Sequence, residues 1–127
     1  MRRLLCQVCA CPADRDERGV LWLIPRAGAD QQGWPEGMAT VQPPLCLPCA
    51  RTSVQMCPAL RHNYVAVRAD APLCGITGLR FRPGRPFPQP VDEPTEVFDF
   101  RDPRVSWVQA IQLSRSLGNC TQVELAP

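Results

Sequence analysis

Apolar residues along this chain come in short runs separated by proline and glycine, which predicts many short elements in place of a few long ones. The clearest run, Val20-Leu21-Trp22-Leu23-Ile24, is bounded by Gly19 and Pro25 and predicts a buried strand, because five consecutive apolar residues leave neither face polar. Ahead of it, residues 4–12 read as a strand end running into a tight turn, and the polar run 14–19 as a connection. Residues 25–44 contain Gly28, Gly33, Pro35, Gly37 and Pro43 and predict a long loop, with 38–42 as a short return strand. A proline near the start and another at the end frame a helix over 46–58. In the second half, Tyr64-Val65-Ala66-Val67-Arg68 and Ile76-Thr77-Gly78-Leu79-Arg80-Phe81-Arg82 read as two strands of a hairpin. Residues 83–90 are too rich in proline for helix or sheet and predict an extended arm, drawn as 83–94, before a short strand at 96–100. Asp102 as a cap, Pro103 at the first position and an apolar face of Val105, Trp107, Val108, Ala110, Ile111, Leu113 and Leu117 predict a helix over 102–118. Gly118-Asn119 would end it, and 120–125 would form a last strand.

Two cysteine pairs change this picture. Cys6-Gln7-Val8-Cys9 and Cys46-Leu47-Pro48-Cys49 are C-x2-C units, and four thiolates in two such units form the closed tetrahedral cage that structural Zn²⁺ prefers. The second pair falls on the first turn of the predicted helix, where free N–H groups and the positive end of the helix dipole favour thiolates. A chain of 127 residues, 45% of them hydrophobic, fits one compact domain or a small metal module with an appendage, and its fifteen prolines and eight glycines limit the core it can build. A metal would supply the missing stability.

Composition narrows the setting. No stretch approaches the roughly 20 apolar residues of a membrane-spanning helix. The start, Met1-Arg2-Arg3-Leu4-Leu5, is interrupted by Cys6, Gln7 and Pro12 before it can become a secretion signal, so the expectation is a cytoplasmic protein with reduced thiols and no disulfides. All fourteen basic residues are arginine, which points to a GC-rich bacterial or phage genome. The formal charge is +2, and four thiolates with one Zn²⁺ would bring it close to neutral, so the composition shows no strong electrostatic hold on nucleic acid.

The knuckle at Cys6 and Cys9, a following hairpin and a helix offering Cys46 and Cys49 resemble the treble-clef zinc fingers over residues 4–60. The resemblance implies an α+β fold: a treble-clef-like module over 1–62, packed with a small α+β extension over 63–127 that holds the hairpin, the arm and the C-terminal helix. Treble-clef fingers include nucleic-acid binders, protein-interaction modules, ribosomal proteins and HNH nucleases, so the resemblance does not fix a function. The nuclease chemistry needs histidines on the hairpin and helix, and His62, the only histidine, falls after the helix.

The expected function is that of a non-enzymatic zinc protein serving as a protein-interaction or adaptor module. A nucleic-acid-binding regulator using Arg68, Arg80, Arg82 and Arg85, interleaved with Phe81 and Phe87, is the second reading, although Asp92, Glu93 and Glu96 lie close behind. The third is an enzyme using a reactive Cys57 or Cys74. Cys11 offers a substitute for Cys9 by a two-residue slip, and Cys11, Cys57, His62, Cys74 and Cys120 are the residues available for a second metal. Their scattered spacing favours free thiols. Trp22, Trp34 and Trp107 read as packing residues.

Overall fold

The computed structural model describes residues 1–26, 32–92 and 96–126; Gly28, Glu93 and Pro94 lie outside them. The chain runs through β1 (Arg15–Asp16), β2 (Gly19–Pro25), β3 (Ala39–Thr40), α1 (Leu47–Met56), β4 (Tyr64–Asp70), β5 (Leu73–Arg82), β6 (Gln89–Pro90) and β7 (Phe98–Asp99). A single 3-10 turn, Pro103–Trp107, then leads into β8 (Val108–Ser116) and β9 (Gly118–Val123).

These strands form two antiparallel sheets. The first has the order β1-β2-β4-β9, and the second β3-β8-β5-β6 with β7 also on β5. One long ribbon joins them: β4 and β5 run antiparallel to β9 and β8, with Ala66 opposite Val123 at one end and Arg80 opposite Val108 at the other. The ribbon bends at Ala71-Pro72 and at the buried Leu117, so each half enters a different sheet.

The first sheet is covered on both faces, which is why β2 is a continuous apolar run. Val20, Trp22 and Ile24 pack with Val65, Val67, Ala69 and Leu117 on one face. Leu21, Leu23 and Ala66 pack with Cys6, Leu45 and Ala50 on the other, and this second face carries α1 and both cysteine pairs. Gly19 is required at the start of β2, since its φ is +113° and a Cβ there would meet the Ala69 carbonyl carbon at 2.5 Å.

Strands make up 42% of the structure and helix 13%, so the fold is a small β-rich domain and the α+β expectation is overturned. The chain does not form a separate hairpin-and-helix finger: β2 has only the two-residue β1 as its hairpin partner, takes its long partner β4 from beyond the helix, and β3 pairs with β8 in the other sheet. A finger hairpin would have left one face of Val20-Leu21-Trp22-Leu23-Ile24 in water. The helix over 102–118 is also corrected. Asp102 does cap a turn, its carboxylate accepting from Arg104 N–H at 2.8 Å, but the turn ends at Trp107 and the chain continues as strand. The supposed apolar face is not buried as a unit, for Ile111 is 68% exposed and Trp107 43%. Val105, Val108 and Ile111 are β-branched, and the ten-residue β5 offers a ladder of backbone partners that outweighs helical periodicity.

Two further expectations change. β4 and β5 do not pair with each other, because Pro72 sends the chain into the second sheet. The proline-rich arm is not free, since β6 folds back on β5 with Phe81 opposite Pro90 and Arg82 opposite Gln89.

Candidate metal centre

The first cysteine pair sits in a tight backbone turn. Leu5 bridges Pro12, Cys6 N–H donates to the Cys11 carbonyl at 2.7 Å, and Ala10 N–H donates to the Cys6 carbonyl at 3.0 Å. Ala10 closes the turn with a left-handed φ of 59°. The second pair straddles the start of α1: Cys46 is the N-cap, with φ −80° and ψ 156°, and Cys49 lies in the first turn. Pro48 costs nothing there, because the N–H it lacks would have no intrahelical partner.

Backbone bonds bring the two pairs together. Gln7 N–H donates to the Pro44 carbonyl at 2.9 Å, Asp14 N–H to Leu45 at 3.0 Å, and Leu45 N–H to Leu21 at 3.1 Å. The segment carrying Cys46 is thus bonded to both the knuckle segment and β2. The buried Arg68 adds a clamp from β4, pairing with Asp14 and reaching Asp16 at 3.1 Å.

The sulfurs of Cys6, Cys9, Cys46 and Cys49 all lie within 4.8 Å of one another and can hold a metal ion. The Cys9–Cys46 sulfur separation is 3.7 Å, and a tetrahedron with metal–sulfur bonds of about 2.3 Å has edges of about 3.8 Å. No protein family, curated protein or solved structure matches this chain. The case for a metal therefore rests on the geometry and chemistry of the site itself.

The electrostatics of the four thiols favour a cation among them. Burial alone would raise the Cys6 thiol, but the N–H groups of Cys46, Cys9 and Val8 outweigh it and bring the pKa down to about 6. The Cys49 N–H favours ionised Cys46, yet burial and the sulfurs of Cys6 and Cys9 carry that thiol above its usual range. Cys49 is pushed far up, chiefly by hydrogen bonding to Cys46 and then by burial. Four sulfurs this close cannot all ionise unless a positive charge compensates, and a divalent ion does so.

The other candidates are placed differently. Cys11 is exposed beside the cluster, its thiol raised by hydrogen bonding to Cys9 and then by that sulfur's charge. Among the described residues, no other three cysteine, histidine or acidic side chains converge, so Cys57, His62, Cys74 and Cys120 assemble no second cluster. Cys74 sits 3.6 Å from the Ser114 hydroxyl, and burial pushes the Cys120 thiol up to about 11. Arg68 lies in a different sheet from Arg80 and Arg82. Arg68 is 8% exposed and ion-paired in the first sheet, Arg80 and Arg82 lie on β5, and Arg85 is exposed in the following turn. Among the described residues no helix is long and apolar enough to cross a membrane.

The N–H cradle around Cys6 and the Arg68 clamp escape sequence reading. Backbone donors leave no residue signature, and an arginine in an alternating strand looks like a solvated one.

Proposed function

We propose that the chain is a non-enzymatic zinc protein, in which Cys6, Cys9, Cys46 and Cys49 hold one structural Zn²⁺ and the domain so fixed serves as a protein-interaction or adaptor module in the reducing cytoplasm. The observation that carries this reading is the convergence of four sulfurs within 4.8 Å on one covered face of the first sheet. Four protein sulfurs complete a tetrahedral shell and leave no position for water or substrate, which is the arrangement of a structural site. Zn²⁺ bound there would cross-link the knuckle to α1, with apparent binding free energies for such sites of roughly 10–16 kcal/mol. That is comparable to the whole stability of a domain this size, about 5–15 kcal/mol.

Elemental analysis of the purified chain and of two variants tests the reading. The wild type should carry one zinc per chain, Cys46→Ser should lose the metal and its cooperative unfolding, and Cys57→Ser should retain both. Two zincs per chain, or a metal-free wild type with the same stability as Cys46→Ser, would contradict it.

A further inference from the structure

The second sheet has an unfilled place. β8 is nine residues long, yet the strand on its outer side, β3, pairs only with Arg115 and Ser116. Among the described residues, no strand covers the outer edge of 108–114. Beside that edge lies a groove of about 570 Å³, walled by Leu5, Val41, Pro43, Ile111 and Leu113 and also lined by the exposed Arg2 and Arg3. Proteins usually guard a strand edge with charge or proline. Here residues 105–114 contain neither.

We propose that the outer edge of β8 receives an extended segment of a partner protein as an added strand, with apolar residues at alternate positions and acidic residues set against Arg2 and Arg3. This rests on the protein-interaction reading above and names the surface and the partner's chemistry. An added strand lies about 4.8 Å from its neighbour, which here is the slot β3 would fill if it were longer. Its main chain would satisfy the open edge, and every second side chain would enter the groove between Val41, Pro43 and Ile111. Charge selects the occupant. The groove wall holds two guanidinium groups and no carboxylate, so an acidic segment is favoured and a basic one repelled. Single-stranded nucleic acid would also meet the arginines, but it binds by stacking on aromatic rings, and these walls are aliphatic. Pairing two β8 edges of identical chains would bring four arginines together.

Random dodecapeptides displayed on phage and selected against the zinc-loaded chain test the proposal. The enriched sequences should alternate Val, Ile or Leu with other residues and contain Asp or Glu. A synthetic peptide of enriched sequence should shift the amide resonances of 108–114 and 41–43. Arg2→Glu combined with Arg3→Glu should weaken it at least tenfold with zinc content unchanged, and methylating alternate backbone nitrogens of the peptide should do the same. Resonance shifts confined to another surface, such as the exposed Val8 and Met56, would overturn this site while leaving a protein-binding role standing. Failure to enrich any peptide on a zinc-loaded, folded chain, affinity indifferent to the charge reversal, or a self-associated dimer closed on β8 would also overturn it.

Discussion

Ala10 occupies the left-handed backbone that closes the knuckle, with φ of 59°. A β-branched side chain is poorly accommodated there, so Ala10→Val should lower the stability of the metal-loaded protein by about 1–2 kcal/mol, seen as a lower denaturant midpoint, whereas Ala10→Gly should not. Arg68 is a second residue whose role is structural. Replacing it with Met leaves Asp14 and Asp16 facing β4 without their shared cation, and a loss on the order of 2 kcal/mol is expected in urea unfolding. Glu36 supplies the pH dependence. Its carboxylate accepts from the N–H groups of Cys120 at 2.9 Å and Asn119 at 2.8 Å, and these bonds hold its pKa below the usual value. A depressed folded-state pKa stabilises the protein above the unfolded-state value of about 4.3, and that contribution disappears as pH falls through the lower folded value. The stability difference between wild type and Glu36→Gln should therefore be constant from pH 8 to about 5 and shrink below it. None of these three roles is marked in the sequence, where Arg68 reads as a nucleic-acid contact, because alanine carries no signal for a left-handed position and long-range ion pairs and caps have no local pattern.

Among elements, those whose sequence demanded one environment were legible. β2 is apolar throughout, and α1 is framed by prolines and begins at the second cysteine pair. β3, β4, β5 and β7 also overlap the predicted strands, and β9 overlaps the last one while starting at Gly118-Asn119, which read as a helix end. β8 was not legible. Its apolar residues satisfy a helical spacing, and the deciding contribution is a partner strand more than twenty-five residues earlier in the chain, which no local window contains. For the same reason the pairing of β4 with β9 and of β3 with β8 could not be read, since strands announce their faces but not their neighbours. Gly78 offers a direct check on the β5–β8 ladder. A Cβ there would lie 2.0 Å from the Gln109 carbonyl oxygen, so backbone would have to move, and Gly78→Ala should cost roughly 1–3 kcal/mol in a thermal or urea melt. Were 102–118 a helix packed elsewhere, that substitution would be neutral.

At the scale of the molecule, the bent ribbon makes the two sheets depend on each other and places the cysteine cluster at one end of a continuous ladder. β2, bonded through Leu21 to the segment that carries Cys46, hydrogen-bonds along β4, and β4 leads through Ala71-Pro72 to β5 in the second sheet. Loss of the metal should therefore be felt in both sheets. In hydrogen exchange after chelation, the amides of β4 and β5 should lose protection together. The four cysteines were legible because C-x2-C spacing is a local constraint that metal geometry imposes, while the sheet scaffold that brings them together is built from long-range pairings. X-ray absorption at the zinc edge of the native protein tests the central claim most directly. Four sulfur neighbours at about 2.3 Å around a single zinc per chain are expected. A shell containing nitrogen or oxygen, or a folded native chain with no zinc bound, would contradict it.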